Sequence, residues 1–174
     1  YMVAIGIGVT AMIRTGNEKG KGDFNNLRRV AISTFLLILL MDLIFCLLFV
    51  STNDYLPLMY LNTSGANVPP DVIEVISMAS DLILIAGFFQ IADGVQAVVL
   101  GALRGMQDVS LPALLIFVAY GAIGFPIGYY LGINTTWAIN GIWIGLLVGL
   151  SVSALFLICR FQYLTKKLIR QNKA

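Results

Sequence analysis

The chain has 174 residues, of which 59% are hydrophobic and only 11% charged, with a mean hydropathy of +0.89 and a formal net charge of +2. A soluble domain carries about 25% charged residues, so the composition excludes one and indicates an integral membrane protein. There is no histidine, which argues against most zinc and haem sites and removes the commonest general base.

In chain order, residues 1–13 are apolar and stop at Arg14. They are too few to span a bilayer and lack a signal-peptide pattern. They read as the tail of a truncated transmembrane helix, and the chain as the C-terminal part of a longer protein. Residues 14–29 carry Arg14, Lys19, Lys21, Arg28 and Arg29 and are expected to form a basic cytoplasmic loop. Residues 30–174 are expected to hold four transmembrane helices, at about 30–50, 78–103, 111–132 and 138–160, followed by a tail. Strands are excluded by the length of the runs and by the lack of in–out alternation. The predicted fold class is therefore all-α, a polytopic membrane helix bundle.

The connections alternate in charge. Segment 51–77 holds no Lys or Arg but has Asp54, Asp71 and Glu74, and segment 133–137 is uncharged. The tail holds Arg160, Lys166, Lys167, Arg170 and Lys173, and Arg104 opens the turn after the second full span. Basic residues on alternate connections place those connections, and the C-terminus, in the cytoplasm. On the other side, Asn62-Thr63-Ser64 and Asn134-Thr135-Thr136 match a glycosylation triplet that is common by chance. Pro69-Pro70 followed by Asp71 predicts a stiff turn and a helix start near Asp71.

Small residues recur along two spans. Ser80, Gly87, Gly94 and Gly101 fall every seven residues, and Gly141, Gly145, Gly149 and Ser153 every four. Both are expected to be packing seams. Pro126, among Gly121, Gly124 and Gly128, predicts a kink that serves either as a static bend or as a hinge. Cys46 and Cys159 read as small buried hydrophobes.

The intramembrane carboxylates carry the functional signal. A bare charge at mid-span costs about 3 kcal/mol or more, so such a residue is a functional candidate by default. Asp93 is the foremost. Its helical neighbours include Phe89, Gln90 and Gln96, which supply amides to line a wet cavity and a ring able to face an organic cation. Asp42 is a possible second site. Asp81 lies near the outer interface, and Asp108 is expected to be a solvated cap. No Lys or Arg lies within the predicted spans, so the cavity favours cations. Asp93 would bind a cation or exchange one for a proton, with Na⁺ as the metal if coupling is to sodium.

No catalytic residues are expected. Asp93-Gly94-Val95-Gln96-Ala97 begins like the CDP-alcohol phosphotransferase motif, but Val98 stands where that motif requires Arg. The Gly-x-Gly-Asp pattern of intramembrane aspartyl proteases fails at Ile91-Ala92.

Four groups of residues, in order, carry a family likeness. They are Val9-Thr10-Ala11-Met12-Ile13-Arg14-Thr15-Gly16 with Gly20 and Arg28-Arg29; Phe89-Gln90-Ile91-Ala92-Asp93-Gly94-Val95-Gln96 running into Gly101-Ala102-Leu103-Arg104-Gly105 and Pro112; Gly124-Phe125-Pro126-Ile127-Gly128-Tyr129; and Gly141-Ile142-Trp143-Ile144-Gly145. Together they resemble the C-terminal half of multidrug and toxic compound extrusion (MATE) transporters of the bacterial multidrug-efflux type. The resemblance implies the C-terminal lobe of a two-lobe transporter of about twelve helices. Asp93 would match the tenth-span acid used for cation coupling, and a partner acid of the seventh span would lie outside this chain. Some relatives carry Tyr where this chain has Phe89.

The sequence thus reads as a secondary multidrug efflux transporter of the bacterial inner membrane. It would exchange cationic or amphipathic drugs for Na⁺ or H⁺ by alternating access. No cofactor is expected beyond the coupling ion. Expected partners are membrane lipid and the missing N-terminal half, with no nucleic acid. The rival readings are a lipid-linked oligosaccharide flippase and a non-transporting membrane scaffold.

Overall fold

The computed structural model describes residues 1–60 and 70–172. The triplet Asn62-Thr63-Ser64 and Pro69 lie outside the described residues. Within them every regular element is a helix: α1 (Met2–Lys21), α2 (Phe24–Thr52), the short α3 (Leu56–Tyr60), α4 (Pro70–Gly105), α5 (Ser110–Val118), a π-turn (Ala119–Gly124), α6 (Phe125–Asn134) and α7 (Ala138–Gln171). Four helical segments are long and apolar enough to cross a membrane: Phe24–Thr52, Val75–Gly105, Ser110–Asn134 and Ala138–Gln171.

The basic segment 14–29 is a helix–turn–helix rather than a loop. Its charged residues are good helix formers, and nothing interrupts α1 before Gly22. There the backbone turns left-handed (φ 76°), with Gly22 N–H on the Lys19 carbonyl and Asp23 N–H on the Glu18 carbonyl. This is a Schellman closure, and glycine enters it without a Cβ penalty. Asp23 then caps α2 by accepting the Asn26 N–H at 2.9 Å. The other helices also overrun their predicted spans. α4 begins at Pro70, next to the expected start at Asp71, because proline suits the first helical position. At 36 residues it is roughly 54 Å long, and its ends must leave the hydrocarbon. α7 continues to Gln171, well past residue 160.

α4 is the centre of the bundle. α2 runs antiparallel to it, with Cys46 and Phe49 against Gly87, Asp42 and Ile38 against Gly94, and Ser80 donating to the Asn53 carbonyl at 3.2 Å. α1 runs parallel to α4. The Gly8 carbonyl meets Gly101, and the Thr15 hydroxyl sits between the carbonyls of Ala11 (2.7 Å) and Ala102 (3.3 Å). The seven-residue stripe of α4 therefore serves two partners, α2 toward its start and α1 toward its end.

The four-residue stripe of α7 packs on the preceding helix. Gly149, Gly145 and Gly141 meet Gly124, Gly128 and the Leu131–Gly132 backbone in antiparallel order. Backbone lies on backbone, the arrangement that gives van der Waals contact where lipid supplies no hydrophobic drive. Leu27, Ile38, Val98, Leu103 and Leu157 are fully buried between α2, α4 and α7. Leu47, Phe117, Phe125 and Leu155 point outward, as a lipid-facing surface requires. Cys46 is buried, but Cys159 is exposed, because it lies off the glycine-bearing face of α7. Asp108 is an ion-pair member rather than a solvated cap. Arg160 Nε reaches its Oδ2 at 2.7 Å with both side chains largely covered, since α7 continues past the α4–α5 turn.

Candidate functional site

Asp42, Gln90 and Asp93 line one cleft of about 440 Å³ together with Phe45, Phe49 and the first residues of α1. Asp42 is the more enclosed acid, at 2% exposure. Its Oδ2 has no hydrogen-bond partner among the described residues, and it lies where a side chain at residue 94 would begin. Gly94 is what lets α2 bring a carboxyl against the α4 backbone one residue from Asp93. The Gln90 amide lines the same cleft as both acids. Asp93 also borders a second cleft of about 320 Å³ between α1 and α4, with Gln96 beside it and Arg104 at the end nearer the α4 C-terminus. Gln96 Oε1 is buried and unpartnered. Asp93 therefore stands between two clefts on the α1 side of α4.

Three of the four principal sequence candidates converge here: Asp93, Gln90 and Gln96. Asp42, the possible second site, joins them because α2 and α4 cross in register at Ile38–Gly94. Phe89 does not. Its ring meets Trp143 of α7 edge-on, with centroids 6.0 Å apart and planes at 75°, and it lines neither cleft. Phe89 precedes Asp93 by one helical turn, but the ring is drawn toward α7 by an aromatic pair. Arg104 was expected outside the cavity. It lies eleven residues along α4 from Asp93, roughly 16 Å, so it marks the mouth and not the ion position.

Tyr120 was not foreseen. It is half-buried within the π-turn. The turn follows from Pro126, which lacks the N–H an α-helix needs and whose ring crowds the preceding turn. Just before it, Phe125 N–H donates five residues back, to the Tyr120 carbonyl. π-turns of this kind cluster at functional sites. Gly121, Gly124 and Pro126 were visible in the sequence, but not the π-turn in which they take part.

Chemically, the site offers two carboxyls and two amides, all hard oxygen donors on their acceptor side. Among the described residues no three His, Cys, Asp or Glu gather to hold a metal. An oxygen-only set with two acids suits a hard cation or a proton, and does not suit a soft metal.

Residues 1–130 match the MatE family. The chain belongs to the MatE family. This MatE chain is 34% identical over 167 residues to a probable multidrug resistance protein NorM of Agrobacterium fabrum, covering 96% of this chain and 35% of that protein. It is 36% identical over 166 residues to the corresponding protein of Rhodopseudomonas palustris, covering 95% and 34%. The MatE chain thus spans about a third of the length of the curated relatives it matches. A eukaryotic MATE transporter crystal structure, AtDTX14, superposes with a TM-score of 0.80 at 19% identity, over 99% of this chain and 38% of that one. An inward-facing multidrug resistance MATE family transporter gives 0.77 at 15% identity, over 97% and 38%. The fold is that of a multi-pass helical membrane bundle from such transporters.

Proposed function

We propose that the whole protein is a secondary active multidrug efflux transporter of the bacterial inner membrane. It exports cationic or amphipathic compounds in exchange for Na⁺ or H⁺ by alternating access. The observation that carries this reading is the meeting of Asp42 and Asp93, from two helices, on one cleft whose lining, among the described residues, holds no Lys or Arg. An uncompensated carboxylate pair in a bilayer needs a cation. A transported cation or proton supplies it reversibly, and competition for the same acids couples ion entry to drug exit. If the ion is Na⁺, Asp93 and Asp42 would hold it, with Gln90 able to add an amide oxygen. The relatives' printed names, multidrug resistance proteins, support the cargo class. The basic ends of α1, α2 and α7 support a cytoplasmic C-terminus.

A lipid-linked sugar carrier would have to neutralise phosphate, and the acid-lined clefts work against that. The test is transport by the full protein in liposomes under an imposed Na⁺ or H⁺ gradient. Asp93→Asn is expected to abolish gradient-driven export, and Asp42→Asn to reduce it at least tenfold. Wild-type rates in both variants would sink the reading.

A further inference from the structure

A second groove lies away from the acidic clefts, where α2 and α7 flank α4 and scarcely touch each other. Its volume is about 240 Å³. Ile32, Phe35 and Leu36 of α2 face Ile158 and Phe161 of α7 across Val99. Ile32 and Leu36 are 45% and 59% exposed, so the groove opens sideways toward lipid. Its polar lining is confined to Arg28 and Gln162, both at the cytoplasmic end. From Arg28 to Leu36 is eight residues of helix, roughly 12 Å of depth. Among the described residues Arg28 has no ion-pair partner. Lys166 stands exposed one helical turn beyond Gln162 on the same face of α7.

An apolar slot running into the membrane and ending in an unpaired guanidinium selects an amphiphile with an anionic head at the cytoplasmic interface. The planar guanidinium matches phosphate oxygens two at a time. Basic pockets between membrane helices on this side are suited to anionic lipid headgroups. A cationic amphiphile, the proposed export cargo, would meet repulsion at Arg28. We propose that this groove binds one anionic phospholipid of the cytoplasmic leaflet, with an acyl chain between α2 and α7 and its phosphate on Arg28. The proposal rests on Arg28 facing the cytoplasm and is independent of the efflux reading.

The test uses the full-length transporter, delipidated in detergent and titrated with phosphatidylglycerol or phosphatidylcholine under native mass spectrometry. Phosphatidylglycerol is expected to be retained preferentially. Arg28→Gln should weaken its retention by roughly tenfold, and that of phosphatidylcholine, whose choline offsets the phosphate charge, by distinctly less. Ile32→Trp, which narrows the slot at an exposed position, should weaken both. Equal retention of the two lipids by the wild type, or unchanged phosphatidylglycerol retention in Arg28→Gln, overturns the proposal. A phosphatidylglycerol with a photoreactive acyl chain is expected to crosslink α2 near residues 32–36. Crosslinks only elsewhere would show that the rest of the transporter or another copy fills the groove, and would also overturn it.

Discussion

Gly94 decides how near Asp42 comes to α4. Any Cβ there would fall on the Asp42 carboxyl and press Ile38 at 2.9 Å. Gly94→Ala is therefore expected to push α2 away, destabilising the protein by about 1–3 kcal/mol, and to impair transport more than stability explains, because the two acids separate. Detergent unfolding and liposome transport measured on the same preparation check both parts; normal transport at wild-type stability would refute it. At the other end of α4, Gln107 adopts a left-handed backbone (φ 63°) while Lys19 Nζ donates to the Met106 carbonyl at 2.6 Å and to Gln107 Oε1 at 3.1 Å. A glycine would fill that backbone position more cheaply, but it would lose one of the two Lys19 bonds that join α1 to the α4 terminus.

The elements divide into a packed trio, α1, α2 and α4, and a hairpin in which α5 and α6 lean on α7. The hairpin depends on its glycine seam. Gly145→Leu is expected to cost at least about 3 kcal/mol, since the side chain would enter the Gly128 backbone. Gly20→Ala, where a Cβ meets nothing, should stabilise slightly, by up to about 1 kcal/mol. Thermal unfolding in detergent distinguishes the two. The seams themselves were legible in the sequence, because spacings of four and seven residues define a stripe on a helix. Their partners were not. Which stripe meets which depends on tertiary placement, so Asp42 stood alone in the sequence and only the crossing of α2 and α4 delivers it to Asp93. Phe89 shows the converse. Helical spacing put it beside Asp93, while its contact with Trp143, 54 residues later in the chain, turns it elsewhere.

At the scale of the whole molecule, the alternating charge of the connections is what the proposed orientation rests on. A single cysteine at Gly20 should react with an impermeant reagent only from the cytoplasmic side, and one at Thr136 only from outside; the reverse pattern would invert the proposed topology. The alternating charge was readable directly, and so were the four spans. The helical continuation of α1 and α7 beyond the hydrocarbon was not, since hydropathy reports where lipid ends rather than where helix ends. The two halves also differ in the sequence distance their contacts span. α6 and α7 are joined by three residues, whereas the Thr15–Ala102 contact between α1 and α4 links positions 87 residues apart. Closing a short loop costs less entropy than closing a long one, so the glycine hairpin is the more local of the two assemblies. A lesion in its seam would strike a contact that neighbouring helices make between themselves, whereas a lesion at Gly8 or Gly101 would leave each helix intact and break only the distant pairing that lines the second cleft of Asp93.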